Sequence, residues 1–148
     1  MVRHLHTRDT TLALVSRAPL EKLERYRAKR GWTLPWYSSF GSDFNYDFHV
    51  TLDEDVAPVE YNFRDAGELR EHGLDWLLDG STEMPGHSAF LAVGDDVFHT
   101  YSSYARGGEW FGGSYAFLDV TALGRQEDWE KPEGRADGVR PGVPDFSG

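Results

Sequence analysis

The chain has 148 residues, no cysteine, a net charge of −10 at pH 7 and an aromatic content of 14%. That length suits one domain able to bury a core without covalent staples. The missing cysteine excludes disulfides, thiolate-bound zinc, iron–sulfur clusters and thiol–disulfide chemistry by this chain alone, and the acid excess disfavours nucleic acid and anionic lipid as partners.

No apolar run approaches the length of a membrane span, and Met1 to His6 lacks the apolar stretch of a signal peptide, so the expected location is cytoplasmic. Thr10 to Val15 is short, mostly apolar and rich in β-formers, which predicts a strand buried on both faces. Pro19 then suits the first turn of a helix carrying Leu20, Leu23 and Tyr26 on one stripe. Glu21 and Glu24 come early and Arg27, Lys29 and Arg30 late, in the order the helix dipole favours, and Gly31 is a natural C-terminal cap.

Trp32 to Ser39 carries Pro35 and predicts an edge strand or extended loop. Phe44, Tyr46, Phe48 and Val50 alternate with Asp43, Asn45, Asp47 and His49, a period of two that predicts an extended segment. Asp65 and Glu68 have capping-box spacing ahead of Leu69, Trp76 and Leu77, which predicts a helix ending near Gly80, weakened by Gly67 and Gly73. Ser88 to Val93 and Val97 to Ser102 flank Gly94-Asp95-Asp96, a hairpin signal. Trp110 to Leu118 has helical spacing interrupted by Gly112 and Gly113. Residues 1–124 are expected to form the single folded domain, and 125–148 a charged, Gly/Pro-rich flexible tail.

Candidate chemistry is sparse. On an extended segment, Asp43, Asn45, Asp47 and His49 share a face that offers ligands to a divalent metal, with Asp43, Asp47, His49 and His99 the candidate metal set. The plainer account is a solvated strand face. His99 lies in an aromatic strand beside Tyr101 and near Arg106; as a catalytic set these three would supply an acid–base group and an anion contact. The plainer account is a core histidine with one hydrogen bond. His4 and His6 form a His-x-His pair at a terminus expected to fray. Trp32, Trp36, Trp110 and Phe111 are pocket candidates or ordinary core. No nucleophile elbow, phosphate-binding loop or H-E-x-x-H motif is present, and no cofactor is expected beyond such a metal.

Four segments carry a family resemblance: V-S-R-A-P-L-E-K-L (Val15–Leu23), G-W-T-L-P-W-Y-S-S-F-G-S-D-F-N-Y-D-F (Gly31–Phe48), V-F-H-T-Y-S-S-Y-A-R-G (Val97–Gly107) and Y-A-F-L-D-V-T-A-L-G-R (Tyr115–Arg125). Together they resemble a bacterial thioredoxin-like family of predicted dithiol-disulfide oxidoreductases, domain of unknown function family 899. The resemblance implies an α/β, thioredoxin-like fold with a mixed sheet and flanking helices. It also implies an N-terminal strand–helix unit with a Cys-Pro-x-Cys-like segment, which does not precede Val15 here. The fold is therefore expected to be partial, with an unpaired central edge that a homodimer or a partner strand would complete. Three functions stay open: a binding or interaction module without redox activity, a His/Asp-based metal protein or enzyme, and a fragment of a dithiol-disulfide oxidoreductase from a truncated gene.

Overall fold

Residues 1–127 are described by the structure, a computed structural model; the rest of the expected tail, 128–148, lies outside the described residues. In chain order the elements are α1 (Val2–His6), β1 (Leu14–Ser16), α2 (Leu20–Arg30), β2 (Trp36–Ser38), α3 (Phe44–Asp47), β3 (Thr51–Leu52), β4 (Glu60–Tyr61), β5 (Arg64–Asp65), α4 (Ala66–Glu71), β6 (Thr82–Glu83), β7 (Gly86–Val93), β8 (Asp96–Tyr104) and α5 (Ser114–Asp119). Short 3₁₀ turns cover Asp75–Leu78 and Ala105–Gly108. The fold is mixed α/β. In place of one mixed sheet, the described strands form four two-stranded sheets: β1–β2, β3–β6, β4–β5 and β7–β8.

The chain divides into two compact units. Among the described residues, one comprises Met1–Leu12, Ser88–Tyr101 and 110–127; the other comprises Ala13–His87 and Ser102–Glu109.

The second unit opens with a parallel β1–α2–β2 crossover in which Leu14, Val15 and Ser16 pair with Trp36, Tyr37 and Ser38. The helix has the expected ends, while of its expected apolar stripe only Leu23 is buried, Leu20 and Tyr26 being exposed. Pro19 is the N-cap, one residue outside the expected first turn, and Gly31 ends the helix at φ 64°, a conformation glycine adopts without steric cost. Proline is tolerated before β2 because Pro35 contributes its carbonyl to Leu14 N–H (2.9 Å) and has no donor to place.

Phe44 to Val50 departs from expectation. It is a helical turn, α3, rather than a strand. Phe44 and Phe48 stack at 4.6 Å, a pairing that i,i+4 spacing on a helix delivers. Farther on, the capping box forms in full: Glu68 N–H donates to Asp65 Oδ1 (2.9 Å) and Asp65 N–H to Glu68 Oε2 (3.0 Å). The helix stops after Glu71 because Gly73 turns left-handed (φ 69°), and Leu77 then sits on a separate 3₁₀ turn. Leu52, Val59, Leu69 and Leu77 make the core of this unit, with Tyr61, Leu74, Leu78 and Met84 packed around them. Each fully buried leucine contributes about 1.5–3 kcal/mol.

In the first unit, Leu5 and Leu118 are fully buried and join α1 to α5. The strand expected from Thr10 starts only at Leu14, because Thr10 closes α1: its N–H donates to Leu5 O (3.0 Å) and its hydroxyl to Arg8 O (3.0 Å). The expected hairpin is present and longer at both ends, turning at Gly94 with φ 61°. The final helix begins directly after Gly112 and Gly113. Gln126 and Glu127, placed in the tail by composition, are buried and belong to this unit.

The tight β4–β5 turn places Asn62 and Phe63 at φ 52° and 61°, the geometry of a type I′ hairpin. Asparagine tolerates it; phenylalanine is strained there, and its ring is 96% exposed, so nothing repays the strain. Phe63→Gly is expected to raise unfolding stability by about 1 kcal/mol in urea denaturation, since it relieves strain and gives up no packing.

Candidate functional site

The richest polar arrangement of the second unit centres on a residue that sequence reasoning passed over. Glu83 lies on β6, antiparallel to β3, which sets Thr51 directly opposite it. Its carboxylate accepts from Thr51 Oγ1 (2.8 Å), Asn45 Nδ2 (2.6 Å) and Arg17 Nη1 (3.1 Å). Asn45 in turn accepts from Ser39 Oγ (2.6 Å), and Arg17 also donates to Ser81 Oγ (2.7 Å) and lies over the Tyr46 ring (4.8 Å). The hydrogen bond to Glu83 holds the Arg17 guanidinium above its ordinary pKa. Ser39, Asn45 and Thr51 are buried, whereas Arg17 and Glu83 reach solvent. The set fixes four segments to one carboxylate. Three donors of this chain already occupy the carboxylate, which suits a positioning role.

Beside it runs a groove of about 470 Å³ between α2 and the end of β1. Ser16, Ala18, Leu23, Tyr26 and Trp36 line it, together with Lys22, Arg25 and Lys29. Trp36 is held by a hydrogen bond from its indole N–H to Ser16 Oγ (3.0 Å). Tyr26, Trp32 and Trp36 form an aromatic trio with ring centroids 5.6–6.0 Å apart. The sequence flags Trp32 and Trp36 as pocket residues; of the groove cations only Lys29 stands out there, as a complement to the helix dipole, and Lys22 and Arg25 carry no such signal.

The first unit holds a buried polar cluster built on α1 and α5. Arg8 is 1% exposed. It donates through Nε to Arg125 O (2.9 Å) and through Nη1 to Thr7 Oγ1 (3.0 Å), and pairs with Glu127 at 3.6 Å. Gln126 Nε2 donates back to Arg8 O (2.7 Å). His4 Nδ1 and Ser114 Oγ lie 2.7 Å apart, and the imidazole stands edge-on to Tyr115 at 5.0 Å. His4 therefore sits in a packed site, not in the frayed terminus expected for the His4/His6 pair. Burial, followed by the charge of Arg8, holds its pKa below the ordinary histidine value; Glu127 opposes this. Tyr115 donates to Glu127 Oε1 (3.1 Å), and that bond is the leading reason its phenol is held above the usual range.

The sequence-predicted residues fall apart by comparison. With α3 helical, Asp43, Asn45, Asp47 and His49 no longer share an extended face. Asn45 points inward to Glu83, while Asp43, Asp47 and His49 are exposed, His49 in a left-handed turn (φ 51°). His99 is exposed rather than core, its Nε2 donating to Tyr101 O (2.9 Å) with Phe90 against the ring at 5.3 Å. Tyr101 belongs to the same unit as His99; Arg106 belongs to the other and pairs with Glu109 at 3.4 Å. Among the described residues, no three His, Asp or Glu side chains are grouped to hold a metal ion.

Two outcomes test these assignments. Glu83→Ala strands the buried Asn45 amide and frees three donors, and is expected to cost about 1–3 kcal/mol in chemical denaturation. For His4, the folded pKa is depressed, so between the folded and unfolded values the unfolded chain binds the extra proton. Stability is then fully present above about pH 6.5 and is lost as pH falls through the folded value. His87, also held down by burial, adds in the same sense. Denaturation from pH 7.5 to 5 is expected to show this loss, and His4→Gln to flatten part of it. Asp119, whose carboxyl is held low by Arg125, stays ionised across that range.

No curated protein and no solved structure matches this chain. One family model does, over residues 1–139, described as a bacterial protein of unknown function (DUF899). The match covers both units, the Glu83 network, the α2 groove and the Arg8 cluster alike. The chain belongs to this DUF899 family of bacterial proteins.

Proposed function

We propose that the chain is a thioredoxin-like domain without dithiol chemistry that works as an interaction module, covering apolar surface with another polypeptide. The observation that carries this is the balance of exposed and buried apolar side chains. Among the described residues sixteen large apolar side chains are 40% exposed or more, against eight apolar residues that are buried. Soluble monomers scatter such residues singly; contiguous ones mark contact surfaces. Four of the sixteen, Phe90, Val93, Val97 and Phe98, lie on the adjacent strands of the β7–β8 hairpin and are 43–69% exposed.

The thioredoxin-like part is supported by chain order: a parallel strand–helix–strand unit, then a hairpin, then a closing helix. The non-redox part follows from a sequence without a thiol. Among the described residues β7 and β8 pair only with each other, and a two-stranded sheet with exposed apolar side chains suits strand addition by a partner or by a second copy of the chain. An incoming strand adds main-chain hydrogen bonds along the edge and covers alternate side chains on one face.

Sedimentation velocity across a hundredfold concentration range, paired with hydrogen exchange, tests this reading. The expected result is self-association, or a monomer whose hairpin amides exchange far faster than those of α2. A concentration-independent monomer with the hairpin protected as strongly as α2 would sink it. Val97→Ser with Phe98→Ser is expected to weaken association by about tenfold or more, since each removes a buried apolar anchor.

A further inference from the structure

We infer that the groove on α2 is a binding site for small aromatic anions, a flat apolar ring bearing a carboxylate or phosphate group. This stands apart from the interaction reading, because it uses none of the hairpin residues.

Basic charge is concentrated on α2. The protein carries 25 acidic and 15 basic residues, yet five of the basic ones sit in the eleven residues of α2. Lys22, Arg25 and Lys29 recur at i, i+3 and i+7, which sets them along one side of the helix over about 10 Å. All three line the groove, and no carboxylate does. Elsewhere among the described residues, Arg8, Arg17, Arg70, Arg106 and Arg125 each pair with a carboxylate. Among the same residues Lys22, Arg25 and Lys29 form no such pair, and neither do Arg27, Arg30 and Arg64. Three unneutralised cations on one face, in a strongly acidic chain, repel one another and favour an anion between them.

The apolar half of the site is equally specific. Tyr26 and Trp36 line the groove, with Trp32 adjoining both rings. Two of these rings are fixed in place. Trp36 is tethered to Ser16, and Tyr26 accepts from Arg30 Nε (3.2 Å) while the Arg30 guanidinium lies 5.2 Å from its ring centre. Tyr26 and Trp32 are 42% and 45% exposed, so part of each ring reaches solvent beside the groove. Rings held before binding lose little rotamer freedom when a flat ligand stacks on them. The volume of about 470 Å³ admits a ring system with its acid group and is too small to enclose a folded partner.

The probes are phenyl phosphate, inorganic phosphate and benzyl alcohol, added separately to the full chain and followed by the backbone and indole NMR signals of α2 and Trp36. Phenyl phosphate is expected to bind saturably and at least tenfold more tightly than either half alone. Arg25→Glu with Lys29→Glu, both exposed changes, are expected to weaken it by about tenfold or more and to remove its salt dependence, with far-UV circular dichroism unchanged. Benzyl alcohol binding as tightly as phenyl phosphate would reduce the groove to a plain apolar site and overturn the inference. So would undiminished binding by the charge-reversed variant, or shifts that do not saturate.

Discussion

Scarcity of buried apolar area governs how this chain holds together. Among its described residues, Leu5, Leu23, Leu52, Val59, Leu69, Leu77, Ala89 and Leu118 are the buried apolar set. At a few kcal/mol each, they are set against an ordering cost of about 1–2 kcal/mol for every backbone residue fixed. Where apolar burial is thin, directional polar contacts take over the task of fixing segments. Arg8 shows it in one unit: one guanidinium ties α1 to the backbone of Arg125 and to Glu127. Glu83 shows it in the other, where one carboxylate gathers Arg17, Asn45 and Thr51.

The two devices differ in cost. Glu83 keeps access to water, so its three donors add specificity at little desolvation penalty. Arg8 is almost wholly enclosed, and its ion pair with Glu127 is long at 3.6 Å. A pair of that kind is weak evidence for stability, since desolvation offsets much of its attraction. What it supplies is uniqueness: a buried cation accepts few alternative arrangements, and the Arg125 carbonyl and Thr7 hydroxyl fix which one. The neutral imidazole of His4 beside it fits the same logic, because a second buried positive charge there would find no new acceptor.

Legibility in the sequence followed the range of the interaction. The helix α2, the Asp65–Glu68 capping box and the turn at Gly94 depend on residues within a few positions of one another, and each was readable. The segment Phe44–Val50 was not, because its pattern is ambiguous: apolar residues at 44, 46, 48 and 50 satisfy a period of two, while 44 and 48 alone satisfy a helical turn. What decides for the helix is distant. Asn45 must face inward to meet Ser39 and Glu83, and an inward Asn45 puts Phe44 and Phe48 together on one side. The same distance hid Glu83, an ordinary acid in a polar loop until β3 and β6 pair. His99 was misjudged for a related reason, since strand composition predicts burial only if something lies across the strand.

The exposed hairpin and the basic groove then express one shortage in two ways. A chain that encloses little apolar surface leaves aromatic rings in solvent, and their surroundings decide what they recognise. On β7–β8, Phe90, Val93, Val97 and Phe98 are exposed on a sheet that has two strands among the described residues, an arrangement that suits an extended polypeptide. Around Trp36 and Tyr26 the neighbours are unpaired cations on a helix, an arrangement that suits a small anion with a ring. The two surfaces need not serve one ligand. Neither proposed use requires a thiol, so both are open to a chain without cysteine.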